Sequence, residues 1–131
     1  MMKRPSARTA KSRPRWRPES DAALEMALAA CAERKAVDGL VLDLRQLSDA
    51  TDAFIIASGT SDTHVRAIAE HVIETLQEAD VRPYLVEGLN LGRWVLVDYV
   101  DFVVHVFHPT LRAFYQLEAL WGDAPQRKVP S

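Results

Sequence analysis

Residues 94 to 99 and residues 102 to 107 are two apolar runs separated only by Val100-Asp101. Runs of that length, rich in valine and aromatic residues, read as strands, and so short a connection folds them back on each other as a hairpin. A lone hairpin is marginal in water, so the rest of the chain must supply a sheet and a core to cover it. Between Glu87 and His108 the same stretch also carries Gly88, an Arg93-Trp94 pair, Asp98 and Asp101 around the turn, and His105 inside an apolar run. In alternating strand geometry Trp94, Leu96 and Asp98 point one way, and Val95, Val97 and Tyr99 the other.

The remaining elements follow from periodicity. Ser20 or Asp21 can cap a helix running to about Ala36, with Leu24, Leu28, Cys31 and Ala32 on one face. Gly39 punctuates, and residues 40 to 44 form a short apolar strand. Residues 48 to 52 are polar and turn-like. Residues 53 to 57 are entirely apolar and predict a strand buried on both faces. After Ser58-Gly59-Thr60-Ser61 comes a helix from about Asp62 to Ala79, whose stripe is Val65, Ile68, Ala69, Val72, Ile73 and Leu76. Arg82-Pro83 opens a third strand at residues 84 to 86. Strand, helix and strand at this spacing predict a parallel crossover, right-handed by the general rule. Pro109 suits the first turn of a last helix, packed through Leu111, Phe114, Tyr115 and Leu117 and stopped by Gly122. The expectation is an α/β (α+β) domain over residues 19 to 122, with a mixed five-stranded sheet and helices packed on it. Residues 123 to 131 read as a flexible tail.

Charge is distributed unevenly. Of 16 basic residues, seven (Lys3, Arg4, Arg8, Lys11, Arg13, Arg15, Arg17) lie in residues 1 to 18, which hold none of the 18 acids. The net charge of −2 is therefore a basic arm on an acidic body. Such an arm reads as disordered by composition, and either touches nucleic acid or is a solvated tail. Its prolines, Pro5, Pro14 and Pro18, deny it an amphipathic helix, which argues against a transit peptide. No run is long and apolar enough for a membrane span, and the expected compartment is the cytoplasm. The single cysteine, Cys31, excludes an internal disulfide framework and a four-cysteine zinc site.

Ser58-Gly59-Thr60-Ser61, between a buried strand and a helix N-terminus, could greet a phosphate. A plain cap by Thr60 or Ser61 explains it as well and is favoured. No P-loop or dinucleotide fingerprint is present. The arrangement is also similar in outline to a nucleotidyltransferase, whose magnesium ligands alternate on a strand. Here Asp62 stands alone, and Asp98 and Asp101 flank a turn, so a catalytic metal pair is not expected. His64, His71, His105 and His108 do not cluster at zinc-ligand spacing. His105, among valines, reads as a hydrogen-bonded strand histidine, and His108 as a helix-entry residue.

Residues 52 to 70, 86 to 88, 93 to 99, 103 to 109 and 114 to 123 together resemble one family, the Iojap-like ribosomal silencing factors (RsfS). The resemblance runs in order from about Ser20 to Asp123 and leaves out the arm. It implies a nucleotidyltransferase-like fold without catalysis, no cofactor and no metal. It implies a regulator that binds the large ribosomal subunit through its ribosomal protein fourteen and blocks joining of the small subunit when nutrients fail. It also implies a homodimer when free; contacts of the arm with ribosomal RNA are expected from its charge, outside the resemblance. Carried over by position, Trp94 is the partner-facing tryptophan, with Asp98 and Tyr99 in its pattern and Glu87, Gly88, Asp101 and His105 at neighbouring family positions. One departure stands out: Val100 occupies a position where many members have glycine. A β-branched residue resists positive φ, so the turn is expected to take another geometry. The rivals are a nucleotide-binding enzyme acting through Ser58, Gly59 and Asp62, and a general RNA-binding module using the arm.

Overall fold

The computed structural model describes residues 18–110 and 119–129. In chain order these form α1 (Pro18–Glu33), β1 (Val37–Asp43), β2 (Ala53–Ser58), α2 (Asp62–Glu78), β3 (Leu85–Glu87), β4 (Trp94–Asp98), β5 (Phe102–Phe107) and β6 (Gln126–Lys128). The basic arm through residue 17 and most of the expected last helix, residues 111 to 118, lie outside the described residues. Ala119 and Leu120 are helical.

One mixed sheet of six strands runs in the order β3-β4-β5-β2-β1-β6. Its centre is the parallel pair β2 and β5, and every other pairing is antiparallel. All of β5 is buried, and all of β2 except Phe54. Continuous apolar runs and central, doubly covered strands are two views of one fact. Through the antiparallel pairings β3 runs parallel to β2, so the expected crossover is present but skips over β5 and β4. The sheet has six strands where five were expected. The sixth, Gln126–Lys128, lies in the stretch read as a flexible tail and pairs with Leu40, Val41 and Leu42 of β1. Its three residues are all exposed and polar, so no hydrophobic alternation announces it.

The helices cover one face. Ala23, Leu24, Ala27, Leu28, Ala30 and Cys31 of α1 and Val65, Ile68, Ala69, Val72 and Leu76 of α2 pack on Val41, Ile55, Val95, Val97, Val104 and Val106. Ala32, expected on that face, is exposed, and Ala23, Ala27 and Ala30 take buried positions beside Leu24, Leu28 and Cys31. The opposite face gathers Leu40, Leu42, Leu44, Ile56 and Phe107 under Trp121 and Ala124. Both helices end in the same motif without glycine. Lys35 (φ 59) and Asp80 (φ 63) take the left-handed position. Ala36 N then donates to Cys31 O at 3.0 Å, and Val81 N to Leu76 O at 2.8 Å.

Candidate functional site

In the β4–β5 pair Trp94 stands opposite Phe107, Leu96 opposite His105, and Asp98 opposite Val103. β3 adds Leu85 beside Asp98 and Glu87 beside Leu96. Paired residues share a face. Glu87, Trp94, Asp98 and His105 therefore stand together on the face away from the helices. Trp94 is half-buried, its ring centre 5.0 Å from that of Phe107. Its indole N–H donates to His105 Nδ1 at 3.2 Å. An imidazole that accepts at Nδ1 carries its proton on Nε2 when neutral. That Nε2 is buried and has no hydrogen-bond partner among the described residues. Phe54 closes the other side, edge to face with the imidazole at 4.6 Å. With only 4% of His105 exposed, burial lowers its pKa from 6.5 to about 4. The ring stays neutral at pH 7 and remains available as an acceptor.

The remaining expected site residues separate from this group. Tyr99 was expected to face a partner, but it points to the helix side, 8% exposed, its ring 5.1 Å from that of Phe102. Burial pushes its phenol up to about 12. The cause is the period of two: whatever follows Asp98 on the strand must leave its face. His105 shares the face but lies beneath it, where it seats Trp94. Asp98 serves its own turn, accepting from Val100 N at 2.7 Å. Gly88 has φ 82, and a Cβ there would run into the carbonyl oxygen of Trp94. Only glycine lets the loop cross the strand that carries Trp94. Glu87 is exposed on the edge strand, and Asp101 is half-buried beside the hairpin turn.

The turn corrects an expectation. Val100 does take positive φ, at 72°. Asp101 N donates to Tyr99 O at 2.8 Å across it, which makes a γ-turn of the strained, left-handed kind. Three bonds hold it there: the one from Val100 N to Asp98, Thr51 Oγ1 to Val100 O at 2.9 Å, and Asp52 N to Asp101 O at 2.9 Å. The aim of Asp101 is thus set by a glycine-like turn after all.

The Ser58–Ser61 segment is a helix cap. Ser61 Oγ accepts from His64 N at 3.0 Å, and Thr60 N donates to His64 Nδ1 at 2.8 Å. Gly59 N is spent on Phe107 O at 3.0 Å. These amides, the natural seat for a phosphate, already have acceptors. Among the described residues no group of three or more His, Cys, Asp or Glu is arranged to hold a metal ion. None of their helices is long and apolar enough to cross a membrane.

Sequence reasoning missed Phe54, Phe107 and Leu85 as parts of the face. Leu85 is 42% exposed and next to Tyr84, 77% exposed, at the open edge of the sheet. Leu85 opens the edge strand and Tyr84 immediately precedes it, so two large side chains are left in water at the sheet edge.

Comparison with known proteins adds four findings. Residues 17–131 match the family described as "Ribosomal silencing factor during starvation". The chain is similar to "Ribosomal silencing factor RsfS" of Bacillus subtilis (strain 168), 46% identical over 102 residues that cover 78% of this chain and 86% of that one. It is also similar to "Mitochondrial assembly of ribosomal large subunit protein 1" of Mus musculus, 31% identical over 101 residues, 75% of this chain and 44% of that one. Among solved structures, a Chromobacterium violaceum protein superposes with a TM-score of 0.74 at 39% identity, covering 78% of this chain and 85% of that one.

Proposed function

The chain belongs to the ribosomal silencing factor (RsfS) family, and from that premise we propose that it docks on ribosomal protein fourteen of the large subunit and keeps the small subunit away by bulk. The observation that carries this reading is the seated Trp94. A tryptophan held by a hydrogen bond and an aromatic neighbour, on a strand paired on both sides, loses little freedom on binding. Farther along the same face stand the carboxylates of Glu87 and Asp98 and the exposed Leu85. An aromatic anchor with an acidic rim suits a basic partner surface.

A standard interface covers roughly 800 Å² on each partner, and one edge of a domain this size can provide that. Steric exclusion asks for no chemistry on a substrate. Repression under starvation, action in the cytoplasm, a homodimer in the free state and phosphate contacts from the basic arm belong to the same proposal. The decisive experiment is sedimentation of the purified protein with separated ribosomal subunits, followed by a rejoining assay. Cosedimentation with the large subunit alone, and fewer joined ribosomes as protein is added, is the expected result. Free reassociation at saturating protein would end the proposal.

A further inference from the structure

Residues 88 to 93 carry the chain from β3 to β4, and their backbone is fixed at nearly every step. Gly92 N donates to Gly88 O at 3.1 Å, and His108 N donates to Arg93 O at 2.8 Å. Arg66 of α2 reaches across. Its Nη1 donates to Asn90 O and to Leu91 O, both at 3.3 Å, and its Nη2 to Thr63 Oγ1 at 3.4 Å. Gly92, at φ 68, lies so close to α2 that a Cβ would stand 2.5 Å from Asp62 O and 3.0 Å from the Arg66 side chain. Leu89 turns inward and packs against the helix-side core. Leu91 turns outward and is 71% exposed.

A connection that only turned the chain would gain nothing from a leucine held in water. Nor would it need a guanidinium on its carbonyls, which water satisfies at a surface. Leu91 is also not isolated. With Tyr84 and Leu85 at the start of β3, three of the five large hydrophobic side chains exposed among the described residues fall between residues 84 and 91. Apolar exposure gathered on one margin marks a surface that meets another protein. Leu91 stands three residues before Trp94, so at most about 11 Å of chain separates them. An interface of roughly 800 Å² per partner is about 30 Å across and covers both. We propose that Leu91 is a second anchor of the surface that carries Trp94, entering an apolar pocket on the same protein partner, and that Arg66 is the residue that positions it. This inference rests on the docking role proposed above. The occupant is protein and not nucleic acid, because a leucine side chain offers a phosphate neither charge nor hydrogen bond. The clamp sets the side chain's place before contact, so little loop freedom is lost on docking.

The test pellets the full chain with isolated large subunits, beside Leu91→Ser, Trp94→Ala and Arg66→Lys. Leu91→Ser alters an exposed side chain, so thermal unfolding should stay as it is while binding weakens about tenfold. The loss should be equal at low and high salt, because salt screens charges and not apolar burial. Arg66→Lys keeps the charge but cannot span both carbonyls. It should weaken binding by less than Leu91→Ser does. In the free protein, backbone amide order parameters at residues 90 and 91 should lie near about 0.85 and fall toward about 0.6 in Arg66→Lys. Wild-type affinity in Leu91→Ser, with Trp94→Ala weakened, would overturn this inference and leave the docking role standing. No pelleting by the wild-type protein would end both. A loss confined to low salt would assign the loop to phosphates through Arg93, and low order parameters in the wild-type loop would remove the clamp. Either result overturns the proposal.

Discussion

The Trp94 indole and the His105 imidazole are joined at 3.2 Å between diagonal positions on two antiparallel strands. The donor is the half-exposed residue and the acceptor the buried one. The exposed side chain is therefore aimed from below. Its orientation depends on a buried group, and on that group staying neutral.

Trp94→Ala should weaken binding to the large subunit by roughly 2 kcal/mol, about thirtyfold, with the fold retained. Trp94→Phe keeps the contact with Phe107 and loses the hydrogen bond, so it should fall between. Pelleting of labelled protein with subunits measures both. Wild-type affinity in folded Trp94→Ala would remove this face from the binding surface.

His105 makes stability depend on pH. Its folded pKa, about 4, lies below the ordinary 6.5. The unfolded chain takes up this proton first, so protonation favours unfolding. The contribution is fully present above pH 6.5 and is lost as pH falls toward 4, on the order of 3 kcal/mol over that window. Urea midpoints followed from pH 7 to pH 4 should fall more steeply for the wild-type protein than for His105→Gln. Parallel curves would show that the histidine contributes no such term.

Val100→Gly should stabilise the protein. The valine holds φ at 72° and is 54% exposed, so replacing it relieves backbone strain while removing little packing. Strain of about 1–2 kcal/mol against a glycine entropy cost of about 0.5–1 leaves a net gain near 1 kcal/mol. Thermal unfolding would register this as a midpoint several degrees higher. A lower midpoint would mean that the three bonds around the turn already offset the strain.

Deleting residues 1 to 18 should flatten the salt dependence of subunit binding, because each phosphate contact contributes a released counterion to the slope. An unchanged slope would leave the arm without a role at the ribosome.

The sequence shows these features unequally. Alternation in the β4–β5 hairpin predicts which side Trp94 takes, and counting outward from Val100-Asp101 places it near His105. The wholly apolar β2 and the striped α2 are equally plain. Strand order is not, because nothing local to β2 says that β5, and not β3, lies beside it. β6 stays hidden because Gln126, Arg127 and Lys128 are all polar and exposed and show no apolar alternation. Lys35, Asp80 and Val100 take left-handed geometry without glycine to mark it. Alternation already parts Tyr99 from Trp94, but how deep His105 lies depends on Phe54 of the neighbouring strand, which nothing local announces.

The parallel β2–β5 pair also bears on how this protein is made. Its two central strands are separated in the chain by α2, β3 and β4. A growing polypeptide must carry β2 with an open edge until β5 emerges, and β1 waits longer still for β6. Non-local pairing of this kind delays collapse and exposes strand edges. A silencer of ribosomes therefore spends much of its own synthesis unfinished at the tunnel mouth, where holdase chaperones should find it.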